Sequence, residues 1–410
     1  MKKKICLLLL LPALAACSGG YKSGDTKLID DGYGVPEGGE VPTGLEEGEG
    51  EGEGNSEESQ ILPEPGQLTC SALDDNKEYE FWESLLREYD ENQEPGLFYE
   101  YYQKYAFKAS NRIALEVKNG NDVKVMLDDQ SYTAHVDNFN KAYLFPKDKK
   151  ESYPATISYL DKNNERKTKK VDIHDGDVID LEEEKTLSNK LEVMFVIDTT
   201  GSMGDEIRYL ISEIDDVIGK VKVDNPTSEV TLAVMVYRDE GDDYITKYSE
   251  FTTDIVKQQN FLSKQSANGG GDYEEAVQTA MDDAVNKKWQ SEESTKLLFH
   301  VADAPAHDEH VKSWNQSVLK MAEKGIKIIS VASSGINKKV EYFFRSQSLL
   351  TGGQYVFLTN DSGIGLEHVE ATTKEKLVVE YLNECMIRLI DSYHQGKEIE
   401  PVPWKNNQQQ

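Results

Sequence analysis

The sequence predicts an α/β fold: a doubly wound, mostly parallel sheet over residues 188–396, preceded by a short helix and small β-sandwich over 70–185 and an acidic linker over 17–69. Three observations carry this expectation. From residue 191 onward apolar runs alternate with amphipathic stretches, the rhythm of strands and helices in a parallel sheet. Between residues 112 and 173 short strand-like runs follow one another across turn signals such as Asn119-Gly120 and Asp175-Gly176, as in a sandwich. Between residues 30 and 69 there are twelve acidic residues, no basic one and the run GLEEGEGEGEGNSEES. Such a composition buries too little apolar surface to offset its ordering entropy and is expected to stay extended as a tether.

The first residues, MKKKICLLLLLPALAACSGG, set three lysines before the apolar run 5–11 and small residues after it, the layout of an export signal over 1–16. The run is too short for a spanning helix, which takes about 20 residues. The tetrad Leu14-Ala15-Ala16-Cys17 resembles a bacterial lipobox. That resemblance implies acylation of Cys17, hence a lipid anchor in the bacterial envelope, and Ser18 implies the outer membrane in a Gram-negative cell. Each buried acyl methylene contributes about 0.8 kcal/mol to such anchoring. Cys6 leaves with the signal and Cys17 carries lipid, which leaves Cys70 and Cys385 in an oxidising compartment. Two readings stand for them, a disulfide or two buried free thiols, because spacing does not fix connectivity.

Of the 410 residues, 75 are acidic and 45 basic, a net charge of -30. A field of that sign repels phosphate backbones and excludes nucleic acid as the expected partner.

In the first module Tyr79, Trp82, Leu85 and Leu86 recur at helical spacing, so a helix is expected within 76–88. Strands are expected at 112–117, 123–127, 132–136, 142–145, 155–160 and 171–173. The stretch DNFNKAYLFP, residues 137–146, resembles the peptidase-regulatory-like sandwich modules of exported bacterial proteins. In the second module the strands expected are 191–197, 230–237, an edge strand at 244–251, then 297–302, 326–332 and 355–358. Helices are expected at 205–221, where Ile207, Leu210, Ile211, Ile214 and Ile218 share one face, and at 276–287. Residues 397–410 are expected to form a flexible tail.

Ligands of a doubly wound sheet bind beyond the carboxyl ends of its strands. There the first strand ends in Asp198-Thr199-Thr200-Gly201-Ser202-Met203, which offers one carboxylate and two hydroxyls from alternate residues. Oxygen-only donors suit a hard divalent cation. Gly201 lets the loop turn tightly. A strand ending in D-x-[ST]-x-S before a helix resembles the metal-ion-dependent adhesion site of von Willebrand factor type A domains. Two later segments agree with it: Gly269-Gly270-Gly271-Asp272-Tyr273-Glu274-Glu275-Ala276, and a strand ending in Asp303-Ala304-Pro305. Both resemble a subgroup with a Gly-Gly-Gly-Asp-x-x-Glu-Ala loop and an Asp-Ala-Pro strand end, as does Tyr237-Arg238-Asp239-Glu240-Gly241-Asp242.

The resemblance implies a metal site at Asp198, Thr200, Ser202, Asp272 and Asp303, holding a divalent cation: Mg2+ first, with Mn2+ or Ca2+ as alternatives. Asp272 replaces a threonine of the adhesion receptors, and either faces the ion or caps the helix after it. Glu274 and Glu275 are expected in the first turn of that helix, His300, His307 and His310 as packing or surface residues, and Asp239, Asp242 and Asp243 as solvated charges. The function implied is recognition of a protein partner through an acidic side chain that completes the ion's shell. The alternative is a metal-independent envelope scaffold, with a metal-dependent hydrolase a distant third. No nucleophile with its base, no phosphate loop and no His-Glu-x-x-His motif is written in the sequence, so a non-enzyme is expected.

Overall fold

The computed structural model describes residues 62–89, 94–105, 107–128, 132–290 and 293–407. The signal, Cys17 and most of the acidic linker lie outside the described residues. The first strand, β1 (Thr69–Leu73), has Thr69, Cys70 and Ser71 buried in succession, as befits a strand covered on both faces. It belongs to the large α/β sheet and not to the sandwich, which corrects the expected boundary at residue 70. Two short helices follow, α1 (Tyr79–Leu85) and α2 (Tyr99–Lys104).

The sandwich is made by β2 (Ile113–Lys118), β3 (Asn121–Leu127), β4 (Thr133–His135), β5 (Lys141–Leu144), β6 (Tyr153–Leu160), β7 (Arg166–Ile173) and β8 (Val178–Asp180). One sheet has the order β5-β2-β8 and the other β4-β3-β6-β7. Alternation places Ile113, Leu115 and Val117 of β2 against Val123, Val125, Leu127 and Ile157 in one core. The first five residues of β7 are exposed and carry Arg166, Lys167, Lys169 and Lys170, charges that keep an edge from pairing further.

The α/β part runs β9 (Lys190–Asp198), a 3-10 turn at Gly201–Asp205, α3 (Ile207–Asp224), β10 (Glu229–Tyr237), β11 (Thr246–Thr252), α4 (Ile255–Leu262) and α5 (Val277–Asn286). It continues through β12 (Thr295–Ala302), α6 (Val311–Glu323), β13 (Ile326–Ala332), α7 (Lys338–Thr351), β14 (Tyr355–Leu358), β15 (Glu380–Tyr381), α8 (Leu382–Gln395) and α9 (Trp404–Asn407). The eight-stranded order is β11-β10-β9-β12-β13-β14-β1-β15, with β10, β9, β12, β13 and β14 parallel and β11 and β1 antiparallel to their neighbours. Val193, Phe195 and Ile197 of β9 pack with α3 and α8, while Met194 and Val196 face the side of α5, α6 and α7. The doubly wound expectation therefore holds. No helix among the described residues is long and apolar enough to cross a membrane.

The two modules pack on one another within a single compact unit. Trp82 and Phe98 sit against Tyr342 of α7 with ring centroids 6.2 and 5.7 Å apart. Beneath them Arg345 is fully buried; its Nε donates to Asp75 and its Nη1 to Glu341, both at 3.0 Å. Asn138 donates to Thr295, Tyr393 and His394 at 3.0–3.1 Å.

Both ends depart from expectation. The last linker residues are docked: Glu213 of α3 accepts the backbone N–H groups of Gly66, Gln67 and Leu68 at 2.7, 2.7 and 3.0 Å, and Leu68 is fully buried. Leu62 and Leu68 are apolar anchors within an otherwise polar window, and together with the Glu213 carboxylate they order the segment. The described part of the tail, 397–407, is ordered too. Arg388 donates to Ile399 O, Trp404 N donates to Val379 O at 3.0 Å, and the Trp404 ring stands edge-on to Tyr381. Cys70 on β1 and Cys385 on α8 are both buried, and their side chains meet as free thiols.

Candidate metal centre

The site grows out of β9, whose buried, apolar run delivers Asp198 to the sheet's carboxyl edge beside Tyr237 of β10. Beyond it the chain turns at Thr200 into the 3-10 segment. The first and second loops close on each other through Gly201 N to Gly269 O and Asn268 N to Thr199 O, both 3.0 Å. A Cβ at Gly201 would stand 2.9 Å from Gly269 O, so the approach requires glycine. Arg238 braces the pair, donating to Thr199 O at 3.1 Å and Ser266 O at 3.0 Å.

Asp198 is fully buried. Its Oδ1 accepts from Thr200 N at 2.9 Å and Thr200 Oγ1 at 2.7 Å. Thr200 Oγ1 lies 3.2 Å from Ser202 Oγ, which donates to Asp303 Oδ1 at 3.1 Å. Four of the five expected residues thus form one chain of oxygens. Asp198 Oδ2 is buried with no hydrogen-bond partner. Burial pushes the Asp198 carboxyl up to about 6. Burial and the neighbouring Asp198 push Asp303 up to about 7. An orphaned buried carboxylate oxygen among two hydroxyls and a second carboxylate fits a hard divalent cation, which would supply the charge these groups lack.

Asp272 is exposed and does not cap the following helix, whose N-cap is Ala276. It meets Asp239 and His307 instead, with one ligand atom from each of the three residues lying within 4.8 Å of the others.

Glu275 departs most from expectation. It precedes α5, bridges Ala306 in parallel and donates its N–H to Pro305 O at 2.9 Å. Only 2% exposed, it keeps a buried Oε2 without a partner. Burial, then Asp198, Asp239 and Asp303, push its carboxyl up to about 9. The signal in the sequence is the glycine run itself, since Gly269 and Gly270 take positive φ and fold the loop back before the helix begins. Asp239 also departs from the solvated reading: it is 8% exposed, with His307 Nε2 3.0 Å from its Oδ1. Asp242 accepts from Asp239 N and Gly270 N at 3.1 and 2.9 Å. His300 is a packing residue as expected, fully buried between Tyr237 and Gln347 at 3.1 and 2.9 Å.

The chain is similar in part to several known proteins. The chain is 28% identical over 171 residues to alpha-protein kinase vwkA of Dictyostelium discoideum, a match covering 41% of this chain and 27% of the relative. It is 21% identical over 221 residues to the putative ariadne-like RING finger protein R811 of Acanthamoeba polyphaga mimivirus, covering 49% and 20%. The chain thus spans about a quarter or less of the length of these curated relatives. Among solved structures, the conserved hypothetical protein BatB from Bacteroides thetaiotaomicron aligns at 14% identity and a TM-score of 0.28, over 53% of this chain and 94% of its own. An aerotolerance-related membrane protein from Bacteroides fragilis aligns at 18% identity and a TM-score of 0.25, over 53% and 95%. The model of the von Willebrand factor A domain matches residues 192–364, the stretch that runs from β9 past β14 and contains every loop of the site. Residues 192–364 of the chain therefore form a von Willebrand factor A domain.

Proposed function

We propose that this chain is a lipid-anchored protein of the bacterial envelope that binds a protein partner through a divalent cation at Asp198, Thr200, Ser202 and Asp303. Mg2+ is the ion expected for such donors, with Mn2+ or Ca2+ as alternatives. The observation that carries the reading is the buried, partnerless Oδ2 of Asp198 within a chain of carboxylates and hydroxyls. Asp198 and Asp303 would hold the ion, Thr200 and Ser202 would orient them, and the ion when bound would supply a Lewis-acidic position for an acidic side chain of the partner. Asp272 is left out of this set because its contacts are to Asp239 and His307.

The same reading makes the chain a binder and not an enzyme. One charge-assisted contact contributes about 1.5–3 kcal/mol. Tight capture therefore requires a surrounding interface of about 1,000 Å2 or more. Cys17 would carry the acyl anchor, and loss of lipid labelling in Cys17→Ser tests that part.

The metal reading is tested by calorimetric titration of the full chain with Mg2+, wild type against Asp198→Ala, followed by partner capture with and without EDTA. Saturable heat that the substitution removes is expected, with capture lost on chelation. Equal heats from wild type and variant refute the metal site, and capture indifferent to EDTA leaves the scaffold reading in its place.

A further inference from the structure

We propose that Asp239, Asp272 and His307 form a second cation site beside the one built on Asp198, suited to a borderline divalent ion such as Zn2+ or Mn2+. The three residues come from three different segments: the loop after β10, the glycine loop before α5 and the loop after β12. The fold nonetheless brings one ligand atom of each to within 4.8 Å of the others. Ligands around a single ion bonded at about 2.0–2.2 Å stand roughly 3 to 4 Å apart, so modest side-chain movement closes the set. His307 Nε2 already meets Asp239 Oδ1 at 3.0 Å in a hydrogen-bonded pair, and binding would put the cation in place of the shared proton.

A second observation points the same way from outside the triad. Glu275 is 2% exposed, and its buried Oε2 has no hydrogen-bond partner. Its other oxygen lies 2.9 Å from where a Cβ on Gly270 would stand, and Gly270 N donates to Asp242 Oδ2. The Glu275 carboxyl therefore stands at the glycine loop between Thr200 of the first set and Asp242, which accepts from Asp239 N of the second. A buried carboxylate oxygen with no donor among converging acids calls for a cation nearby.

The donor set distinguishes this site chemically. One imidazole nitrogen with two carboxylates favours ions of the Zn2+ and Mn2+ kind over Mg2+, which prefers oxygen throughout. Asp239 is buried while Asp272 is exposed, so the ion would have a fixed inner wall and an entry from solvent. The residues differ from those of the proposed adhesion site, and either site can fail alone.

The test is a Mn2+ titration of the full chain, read by calorimetric stoichiometry and by nitrogen coupling in the electron paramagnetic resonance spectrum. Wild type is expected to bind two equivalents. Asp272→Asn and His307→Gln are each expected to remove one, with the nitrogen coupling lost in the histidine variant, while Asp198→Ala removes the other. Asp272 is exposed, so its variant decides the matter even if the His307 variant does not fold. One equivalent that vanishes in Asp198→Ala, or two that survive in Asp272→Asn, overturns the proposal. Loss of the Asp198-dependent equivalent in Asp272→Asn also overturns it, by returning Asp272 to the first site. One equivalent that survives Asp198→Ala and vanishes in Asp272→Asn sustains this site and refutes the adhesion site.

Discussion

Asp303→Asn should make the metal-free protein more stable while ending its response to metal. Asp303 is 5% exposed, and burial with Asp198 nearby lifts its carboxyl from 3.8 to about 7. A carboxyl raised in this way is neutral in the fold and ionised in the unfolded chain over that whole interval. Its contribution is thus full below pH 3.8 and is lost as pH rises through about 7. At about 1.4 kcal/mol per pH unit, the loss between pH 5 and the folded value amounts to roughly 2 to 3 kcal/mol. Asparagine keeps an acceptor for Ser202 Oγ but never ionises, so it avoids that loss. The variant's advantage should therefore grow by roughly 3 to 4 °C in melting temperature between pH 5 and pH 8 in EDTA, the shift expected of so large a unit. Adding Mg2+ at pH 8 should raise the wild type by mass action and leave the variant unchanged. Calorimetric scans at the two pH values, with EDTA and with Mg2+, measure all four quantities. An advantage that does not change with pH, or a variant less stable than wild type at pH 8, would refute the argument that the carboxyls strain against one another without an ion.

Three further outcomes are expected. Arg345→Ala should destabilise by about 3–5 kcal/mol in urea unfolding, because it strands Asp75 as a buried acid and leaves Glu341 with Lys338 alone; a cost below about 1 kcal/mol would contradict the burial. Glu213→Ala deprives three backbone N–H groups of their acceptor, so limited proteolysis ahead of Thr69 should quicken, and an unchanged cleavage pattern would show that Leu68 alone holds the segment. Burial and the contact with Cys385 raise the Cys70 thiol well above its ordinary value. Iodoacetamide should therefore leave both cysteines unmodified until the chain unfolds; rapid labelling of the native protein would place them at the surface, and a linked peptide would show that they pair.

The parallel sheet is legible in the sequence because its strands are buried on both faces and need no partner to be recognised. Ile326–Ala332 and Tyr355–Leu358 fall where their apolar runs begin and end. β1 and β15 were not legible. TCSAL and Glu380–Tyr381 become strands only because β14 presents an edge to β1 and β1 one to β15. The same holds for β8, three residues paired alongside β2. In the site, the alternating oxygens of Asp198, Thr200 and Ser202 are a local pattern and could be read directly. Glu275 could not, because an acid near a helix start suits the helix dipole equally well. Its inward turn depends on Pro305 and Ala306, thirty residues away in the chain.

The antiparallel strand β1 also sets an order of events for folding. Cys70 pairs with Leu358 and Leu73 with Tyr355, and the sandwich lies wholly between the two ends of that pairing. Closing so long a loop has to await the segment that rewards it, and contacts this remote in sequence are slow to form. The sandwich can collapse as soon as residue 181 has emerged, while β1 waits for β14, and Glu380 and Tyr381 then close over its other side. Until then β1, the first strand among the described residues, stays unpaired and open to pairing wrongly.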